Sequence, residues 1–262
     1  MSATEAFREE RRGRIWLMYA PAYAATIEAL GLREPEAARS LLAIEHTEAT
    51  SADRAIGRSP GRLLHASGQA TTLHFRRALH GGLLAPLWRE GIAGVARVRR
   101  QLQTTACLRG LGAPVPEAAF ALAYQRGALW EAGLATVFEP DALDGVAFLA
   151  RSPDASSLVH AAGAVGRAIR VFHDKGGRHP DLHIGNILVR QRRCETDALV
   201  IDLDGVELST RPTKRRRRQE LQRLERSLRK RDLIDSVSAE ARAAFCLAYA
   251  GEGASDSSAI AG

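Results

Sequence analysis

The chain has 262 residues, of which 45% are apolar, and a formal net charge of +7 at pH 7. This length and apolar content allow one large domain or two smaller units with buried cores, which excludes a natively unfolded chain. The three cysteines, Cys107, Cys194 and Cys246, are isolated and show no CxxC spacing. They argue against a disulfide framework or a zinc site and favour a reducing compartment, with the cytoplasm as the default.

Residues 1–50 are predicted to form a helical extension. Within them, the apolar stretch 15–32 is the one candidate in the sequence for a membrane or signal segment. It contains Pro21 and Glu28, and the residues before it mix glutamate with arginine, unlike the positively charged start of a signal peptide. We therefore interpret 15–32 as an amphipathic helix.

Residues 51–140 are predicted to form a small unit built largely of strands. Glycine and proline punctuate 57–62, and Thr-Thr-Leu-His-Phe follows, a pattern typical of a hairpin. The predicted elements are a hairpin whose second strand covers about 70–77, a helix over 89–116 that stops at Gly110, and strands at about 118–125 and 128–138. A polar break at 139–145 marks the boundary with the next unit.

Residues 141–250 are predicted to form a mainly helical unit that carries the chemistry. An Ala-rich helix over 155–175 leads to His-Pro-Asp-Leu-His-Ile-Gly-Asn-Ile-Leu-Val at 179–189, a polar loop that runs into a strand. A second short strand, within 194–205, ends in Val-Ile-Asp-Leu-Asp-Gly. The tail, 251–262, is rich in Gly, Ser and Ala and is predicted to be disordered.

The positive charge is concentrated in one segment, 211–231. This segment carries eleven Lys or Arg against two Glu, a net +9, so the remaining residues sum to −2. Leu221, Leu224 and Leu228 recur at helical spacing, which predicts a helix with an apolar stripe and a cationic face. The face can be simply solvated, or it can bind an anionic lipid surface or an acidic substrate. Nucleic acid is less favoured, because no aromatic residue interleaves the charges.

The polar loop has the spacing of a phosphoryl-transfer site. Asp181 and Asn186 stand five residues apart before a strand, and Asp202 follows sixteen residues later at the end of another strand. One Asp can accept the proton of an attacking hydroxyl, while the Asn and the second Asp can hold Mg²⁺ against nucleotide phosphates. Single histidines of this region, such as His173 and His183, are expected to be capping or core residues.

At these residues the chain resembles the protein-kinase-like superfamily, and within it the lipopolysaccharide kinases of the Kdo (3-deoxy-D-manno-octulosonic acid) kinase type. The likeness covers about 57–231 and depends mainly on the two motifs above, with support from His-Gly-Gly-Leu-Leu at 80–84 and Gly-Ala-Pro-Val-Pro at 112–116. It implies an α+β, two-lobed protein-kinase-like fold. The small antiparallel-sheet N-lobe would be 51–140, and the mainly helical C-lobe would be 141–250.

The resemblance assigns roles within the polar loop. It makes Asp181 the catalytic base, Asn186 and Asp202 the metal ligands, and His179 a residue that braces the loop from behind.

The resemblance also assigns residues to the nucleotide phosphates. The third-strand lysine of ordinary kinases is missing, because the first lysine of the chain is Lys175. The Kdo-kinase-like proteins place an arginine there, which selects Arg76, with Arg77 as the alternative, and a guanidinium can hold two phosphate oxygens. The helix glutamate that would pair with it falls on Gln101, which cannot form an ion pair.

Two further departures from ordinary kinases bear on the substrates. The phosphate-covering loop falls on 57–62, where Gly57 and Gly61 offer a poorer cradle than a GxGxxG motif. Asp204 stands where protein kinases have the glycine of Asp-Phe-Gly, and about ten residues separate it from the basic helix, too few for a peptide-binding segment. The acceptor is therefore expected to be a sugar hydroxyl rather than a protein side chain.

The resemblance thus implies a Mg²⁺- and ATP-dependent kinase that phosphorylates Kdo or a related core sugar on a lipid A precursor. The enzyme is expected to be cytoplasmic, with 211–231 holding it at the anionic inner face of the inner membrane. Two alternatives stay open. One is a catalytically impaired kinase-like binding module, and the other is a kinase of another small molecule or an atypical protein kinase.

Overall fold

The computed structural model describes residues 7–43, 61–78, 94–193, 195–210 and 213–251. They form two compact units. The first contains the described residues up to 107 together with 116–138, and the second contains 108–115 and all described residues from 139 onward.

The first unit is an antiparallel sheet with helices packed on it. Its strands are β1 (Arg8–Arg12), β2 (Ile15–Tyr19), β3 (Arg62–His65), β4 (Thr72–Arg77), β5 (Ala118–Arg126) and β6 (Leu129–Val137). Its helices are α1 (Ala24–Ala29), α2 (Pro35–Leu42) and α3 (Ala96–Gly110), of which the last three residues, 108–110, belong to the second unit. The strand order is β1-β2-β5-β6-β4-β3. The hairpin, the helix end at Gly110 and the strand pair predicted from the sequence are confirmed, while 89–93 of the predicted helix lie outside the described residues.

Helices pack on both faces of the central strands of the sheet. On one face, α2 packs through Leu42 onto a strand layer that includes Phe75, and both side chains are fully buried. On the other face, α3 packs through Val98 and Leu102 onto a layer that includes Leu134. Because side chains alternate along a strand, successive residues of β4 face α2 and α3 in turn.

The prediction that 1–50 is a helical extension is wrong for its first part. β1 and β2 form a hairpin, and β2 also pairs with β5, so both strands belong to the sheet. The stretch 15–32 is likewise not one amphipathic helix: β2 is buried at every position, Pro21 begins a 3-10 turn, and α1 is six residues long. A strand covered on both faces reads as a continuous apolar run, which periodicity cannot distinguish from a buried helix.

The second unit is mainly helical. Its helices are α4 (Gly145–Ala150), α5 (Ala155–Asp174), α6 (Lys214–Arg229) and α7 (Ala239–Ala250). Its strands are β7 (Ala142–Asp144), β8 (Gly177–Arg178), β9 (Ile187–Arg192), β10 (Glu195–Val200) and β11 (Glu207–Leu208). β10, β9 and β7 form a small antiparallel sheet, and β8 pairs with β11. The predicted Ala-rich helix, both predicted strands and the basic helix are confirmed.

Helix α5 runs through the core of this unit. It is rich in Ala and Gly on its buried side, and Ile169 and Phe172 are fully buried there. The small residues allow α7 to approach closely, and Arg170 Nη1 donates to the carbonyls of Tyr249 (2.8 Å) and Ala250 (2.6 Å), which caps the end of α7. α5 therefore acts as the support on which the loop that follows it is built.

Gly166→Ala is expected to lower the free energy of unfolding by roughly 1–3 kcal/mol, because the added methyl group has no room. A Cβ at Gly166 would lie 2.5 Å from the carbonyl oxygen of Phe245 and 3.2 Å from Cβ of Ala248. Gly163→Ala on the same helix is the matched control, since the nearest atom is the mobile end of Arg167 at 3.4 Å. This control should be neutral or stabilising by up to about 1 kcal/mol. Urea denaturation measures both, and equal losses would contradict the packing argument.

Within the described part of the chain, no helix is long and apolar enough to cross a membrane. The tail predicted to be disordered lies, from residue 252 on, outside the described residues.

Candidate active site

The polar loop between β8 and β9 is organised around the imidazole of His179. His179 is 1% exposed, and its Nδ1 accepts a hydrogen bond from the backbone N–H of Asp181 at 3.2 Å. Its Nε2 donates to the carbonyl of Ile201 at 3.1 Å. Burial lowers the pKa of His179, in agreement with a neutral ring that has one accepting and one donating nitrogen.

Two further hydrogen bonds close a ring of four residues. The backbone N–H of Ile201 donates to the carbonyl of Asn186 at 2.9 Å. The side-chain amide of Asn186 donates to the carbonyl of Asp181 at 3.0 Å. The loop that carries Asp181 and Asn186 is thereby tied to the residue directly before Asp202. We call this arrangement, formed by His179, Asp181, Asn186 and Ile201, the hydrogen-bonded ring.

The three predicted acidic and amide side chains are therefore brought to one place by backbone as well as side-chain contacts. Asp181 projects outward, and its side chain is 75% exposed. Asn186 is 5% exposed, so its amide is fixed. Asp202 has φ +58°, a left-handed conformation that is uncommon for a residue other than glycine and is found preferentially at functional sites.

The chemistry of these side chains fits Mg²⁺. The amide nitrogen of Asn186 is occupied by the carbonyl of Asp181, which leaves Oδ1 as its ligand atom. Together with the carboxylate of Asp202, this gives a set of hard oxygen donors, the type that Mg²⁺ prefers when substrate phosphates supply further ligands.

Helix α6 supports the loop through residues that sequence reasoning missed. Glu220 is 4% exposed, and its Oε2 accepts from the backbone N–H of His179 at 2.9 Å. Ser227 is 8% exposed, and its hydroxyl accepts from the backbone N–H of Ile184 at 3.0 Å. Both lie with buried Leu224 on one face of the helix, so the stripe predicted to be apolar is in fact partly polar. The sequence did carry a signal for this: Glu220 lies four residues before Leu224 and Ser227 three residues after it, which places both on the face of the helix that carries Leu224.

Glu220 also contacts His173, which lies at the end of α5. His173 is fully buried, with its Nε2 3.2 Å from Oε2 of Glu220 and its Nδ1 2.9 Å from the hydroxyl of Tyr249. Burial raises the pKa of Tyr249, so the phenol keeps its proton and can donate to His173. The expectation that His173 is a core residue is confirmed.

His183 is a capping residue, as predicted. Its Nδ1 accepts from the backbone N–H of Gly185 at 3.1 Å, at the start of the 3-10 turn Ile184–Asn186. Its Nε2 lies 3.7 Å from Oδ2 of Asp181.

Three of the residues predicted to contact nucleotide phosphates, Arg76, Gln101 and Gly61, lie in the first unit. Arg76 pairs with Leu134, which places it on the sheet face covered by α3. Arg77 pairs with Gly133 and faces the opposite side. Of the two adjacent arginines, only Arg76 therefore lies on the sheet face that α3 covers.

Gln101 and Gly61 belong to the same unit. Gln101 is half-buried on α3 and directly precedes Leu102, which packs on the face that carries Arg76. Gly61 precedes β3 and has a packing role of its own, because a Cβ there would collide with the ring of His74. Since Arg62 pairs with Phe75, Gly61 lies at the same end of the hairpin as Arg76. Gly57 and the stretch 80–84 lie outside the described residues.

The fold and the loop define a protein-kinase-like protein with an antiparallel-sheet unit and a mainly helical unit. The solved structure of WaaP in complex with acyl carrier protein superposes with a TM-score of 0.53, covering 86% of this chain and 85% of that one, at 17% sequence identity.

The chain belongs to the lipopolysaccharide kinase (Kdo/WaaP) family, whose model matches residues 45–249. This confirms the resemblance seen in the motifs. A 3-deoxy-D-manno-octulosonic acid kinase from Vibrio cholerae serotype O1 is 31% identical over 140 residues, which are 52% of this chain and 56% of that protein. The match therefore spans about half the length of the curated relative.

Proposed function

We propose that the protein is an ATP-dependent kinase that transfers a phosphoryl group to a hydroxyl of Kdo, or of a related core sugar, on a lipid A precursor. The observation that carries the proposal is the hydrogen-bonded ring, which fixes Asp181 and Asn186 next to the strand end that bears Asp202. Family membership supports the class of reaction and of substrate.

Asp181 would accept the proton of the acceptor hydroxyl, and its exposed carboxylate is in a position to meet a substrate from solution. Asn186 and Asp202 would hold Mg²⁺, which when bound neutralises charge on the transferred phosphoryl group. His179 would act as a positioning residue, because it touches the backbone of Asp181 and not the substrate.

A second set of residues would hold the nucleotide phosphates. Arg76 would replace the lysine of ordinary kinases, with Gln101 as its neutral partner on α3. The backbone around Gly57 and Gly61 would supply further N–H donors.

The acceptor would be a sugar rather than a peptide. Only residues 205–213 separate Asp204 from α6, and β11 already occupies Glu207–Leu208 by pairing with β8. This leaves no length of chain for a segment that could align a peptide, whereas a sugar hydroxyl needs only access to Asp181.

The direct test is phosphate transfer from ATP to Kdo-lipid A in the presence of Mg²⁺, with wild type compared with Asp181→Asn. Transfer by wild type well above the variant supports the proposal. Equal, background-level transfer in both would overturn it and would favour a kinase-like binding module. Transfer to another sugar, but not to Kdo-lipid A, would correct the substrate.

We also propose that α6 holds the enzyme on an anionic membrane surface at the cytoplasmic face. Residues 214–218 are five consecutive cations at the N-terminus of α6. This is the end of a helix where the macrodipole disfavours positive charge, so they gain nothing from the helix itself. Arg217 is occupied by Asp174 (2.7 Å) and the carbonyl of His173 (3.3 Å). Arg215, Arg216 and Arg218 are exposed and can meet a lipid surface.

Neutralising these three residues (Arg215, Arg216 and Arg218 to Gln) is expected to weaken binding to vesicles with anionic lipid by roughly 100-fold, since each basic residue near the surface contributes about 1 kcal/mol. Co-sedimentation with anionic vesicles at low and high salt measures it. The matched control neutralises three other exposed arginines: Arg151, Arg192 and Arg193. Binding that is insensitive to salt, or equally reduced in the control, would contradict a role for α6.

A further inference from the structure

We propose that His183 is a positioning residue that orients the carboxylate of Asp181 for proton abstraction, an inference that rests on the proposed kinase function. The hydrogen bond by which His183 caps the 3-10 turn also determines which of its ring nitrogens carries a proton. That nitrogen faces Asp181.

The cap fixes the tautomer. Nδ1 of His183 accepts from the backbone N–H of Gly185 at 3.1 Å, so it carries no proton. A neutral imidazole has one donor and one acceptor, and its proton must therefore be on Nε2. Nε2 lies 3.7 Å from Oδ2 of Asp181, so the group that faces the carboxylate is an N–H donor.

The ring is held firmly enough to act as a guide. A Cβ at Gly185 would lie 3.2 Å from Cε1 and 3.3 Å from Nδ1 of His183, so the ring packs directly on this glycine. The turn that follows is fixed on both sides. Ser227 accepts from Ile184, and the N–H of Asn186 donates to the carbonyl of His183 at 2.9 Å. The side chain of His183 is 26% exposed, against 75% for Asp181.

Asp181 needs such a guide because only its backbone is fixed by the hydrogen-bonded ring. His179 binds its N–H and Asn186 binds its carbonyl, and both contacts leave the side-chain rotation undetermined. A distance of 3.7 Å is longer than a hydrogen bond, but contacts of this kind often tighten when the substrate is bound. With Oδ2 turned to His183, Oδ1 is presented to the acceptor hydroxyl.

Two substitutions distinguish the capping role of Nδ1 of His183 from the donor role of its Nε2. In His183→Asn, the side-chain oxygen takes the place of Nδ1 and keeps the bond to Gly185, but no donor reaches Asp181. In His183→Gln, the longer side chain places an N–H donor where Nε2 was and gives up the cap. A purely structural role predicts that Asn is the milder change. A positioning role predicts the reverse for kcat.

The experiment measures kcat and KM with ATP, Mg²⁺ and Kdo-lipid A for wild type, both variants and Asp181→Asn, together with thermal unfolding. We expect His183→Asn to lower kcat roughly 10- to 100-fold with KM and Tm little changed, and His183→Gln to recover most of that loss. Wild-type kcat in the Asn variant, or equal losses in both variants, would overturn the inference while leaving the kinase function intact. A wild type no faster than Asp181→Asn would instead overturn the proposed function, and the inference with it.

Discussion

Asp181→Asn is expected to lower phosphate transfer by roughly 10²- to 10⁴-fold without loss of stability. The size of the effect is that of removing a general base, because an amide cannot accept the proton of the attacking hydroxyl. Stability should be retained, because both hydrogen bonds of Asp181 in the hydrogen-bonded ring are made by its backbone. Its side chain is mostly exposed, and substitutions of exposed side chains usually change the free energy of unfolding by less than about 0.5 kcal/mol.

The comparison with Asp235→Asn makes the result specific. Asp235 is exposed on the loop between α6 and α7, so its substitution removes the same charge from the protein outside the polar loop. Transfer rates for this control should equal those of wild type, and thermal unfolding should be unchanged in both variants. A rate for Asp181→Asn within about threefold of wild type would show that Asp181 is not the base.

The polar loop could be predicted because its candidate site residues lie only a few positions apart in the sequence. Asp181 and Asn186 are five residues apart, and each candidate site residue lies near a strand whose apolar run is visible in the sequence. The hydrogen bonds that close the loop could not be predicted from local spacing. The bonds from His179 to Ile201 and from Ile201 to Asn186 join residues 22 and 15 positions apart, and only the fold brings them together.

The wrong prediction of a helix over the first part of residues 1–50 has a different cause. β2 lies between β1 and β5 with both faces covered, so its five residues are all apolar and show no alternation. Such a run predicts burial but not the type of element. Its pairing with β5 is made across about a hundred residues, for which the sequence carries no local signal.

The register between β4 and β6 distinguishes Arg76 from Arg77, which the sequence alone could not do. Neighbouring residues of a strand face opposite sides, so two adjacent arginines are equivalent in composition and opposite in placement. The family resemblance predicts an arginine at position 76 or 77 as the phosphate contact. The pairing of Arg76 with Leu134 shows that Arg76 is the one on the α3 face.

Glu220→Ala is expected to lower both the stability of the second unit and its activity. Oε2 of Glu220 is the acceptor for the backbone N–H of His179 at 2.9 Å and for Nε2 of His173 at 3.2 Å. Both donors are buried, and each costs about 1–3 kcal/mol when it loses its acceptor, so the free energy of unfolding should fall by roughly 2–6 kcal/mol. Activity should fall as well in the fraction that remains folded, because His179 holds the backbone of Asp181.

Glu225 on the same helix provides the matched control. Its carboxylate is 54% exposed and pairs with Arg229 four residues later, at 2.6 Å, in contact with solvent. Exposed pairs of this kind contribute about 0.3–0.5 kcal/mol, so Glu225→Ala should hardly change the urea midpoint. The two variants remove the same side chain from the same helix and differ only in burial and partners.

Glu220→Gln tests whether the polar loop depends on the side-chain oxygen at position 220 or on its negative charge. Both donors meet a single oxygen, which an amide side chain can still supply, so the geometry of the loop should survive. Hydrogen bonds to an ionised acceptor are roughly twice as strong as neutral ones, and we expect a loss of about 1 kcal/mol. If the Gln variant were as unstable and as inactive as the Ala variant, the negative charge itself would be what α6 provides. If neither variant differed from Glu225→Ala, the contact from α6 to His179 would not support the loop. The expected order, with Glu225→Ala and Glu220→Gln near wild type and Glu220→Ala far below, would establish that α6 carries a buried acceptor on which the polar loop depends.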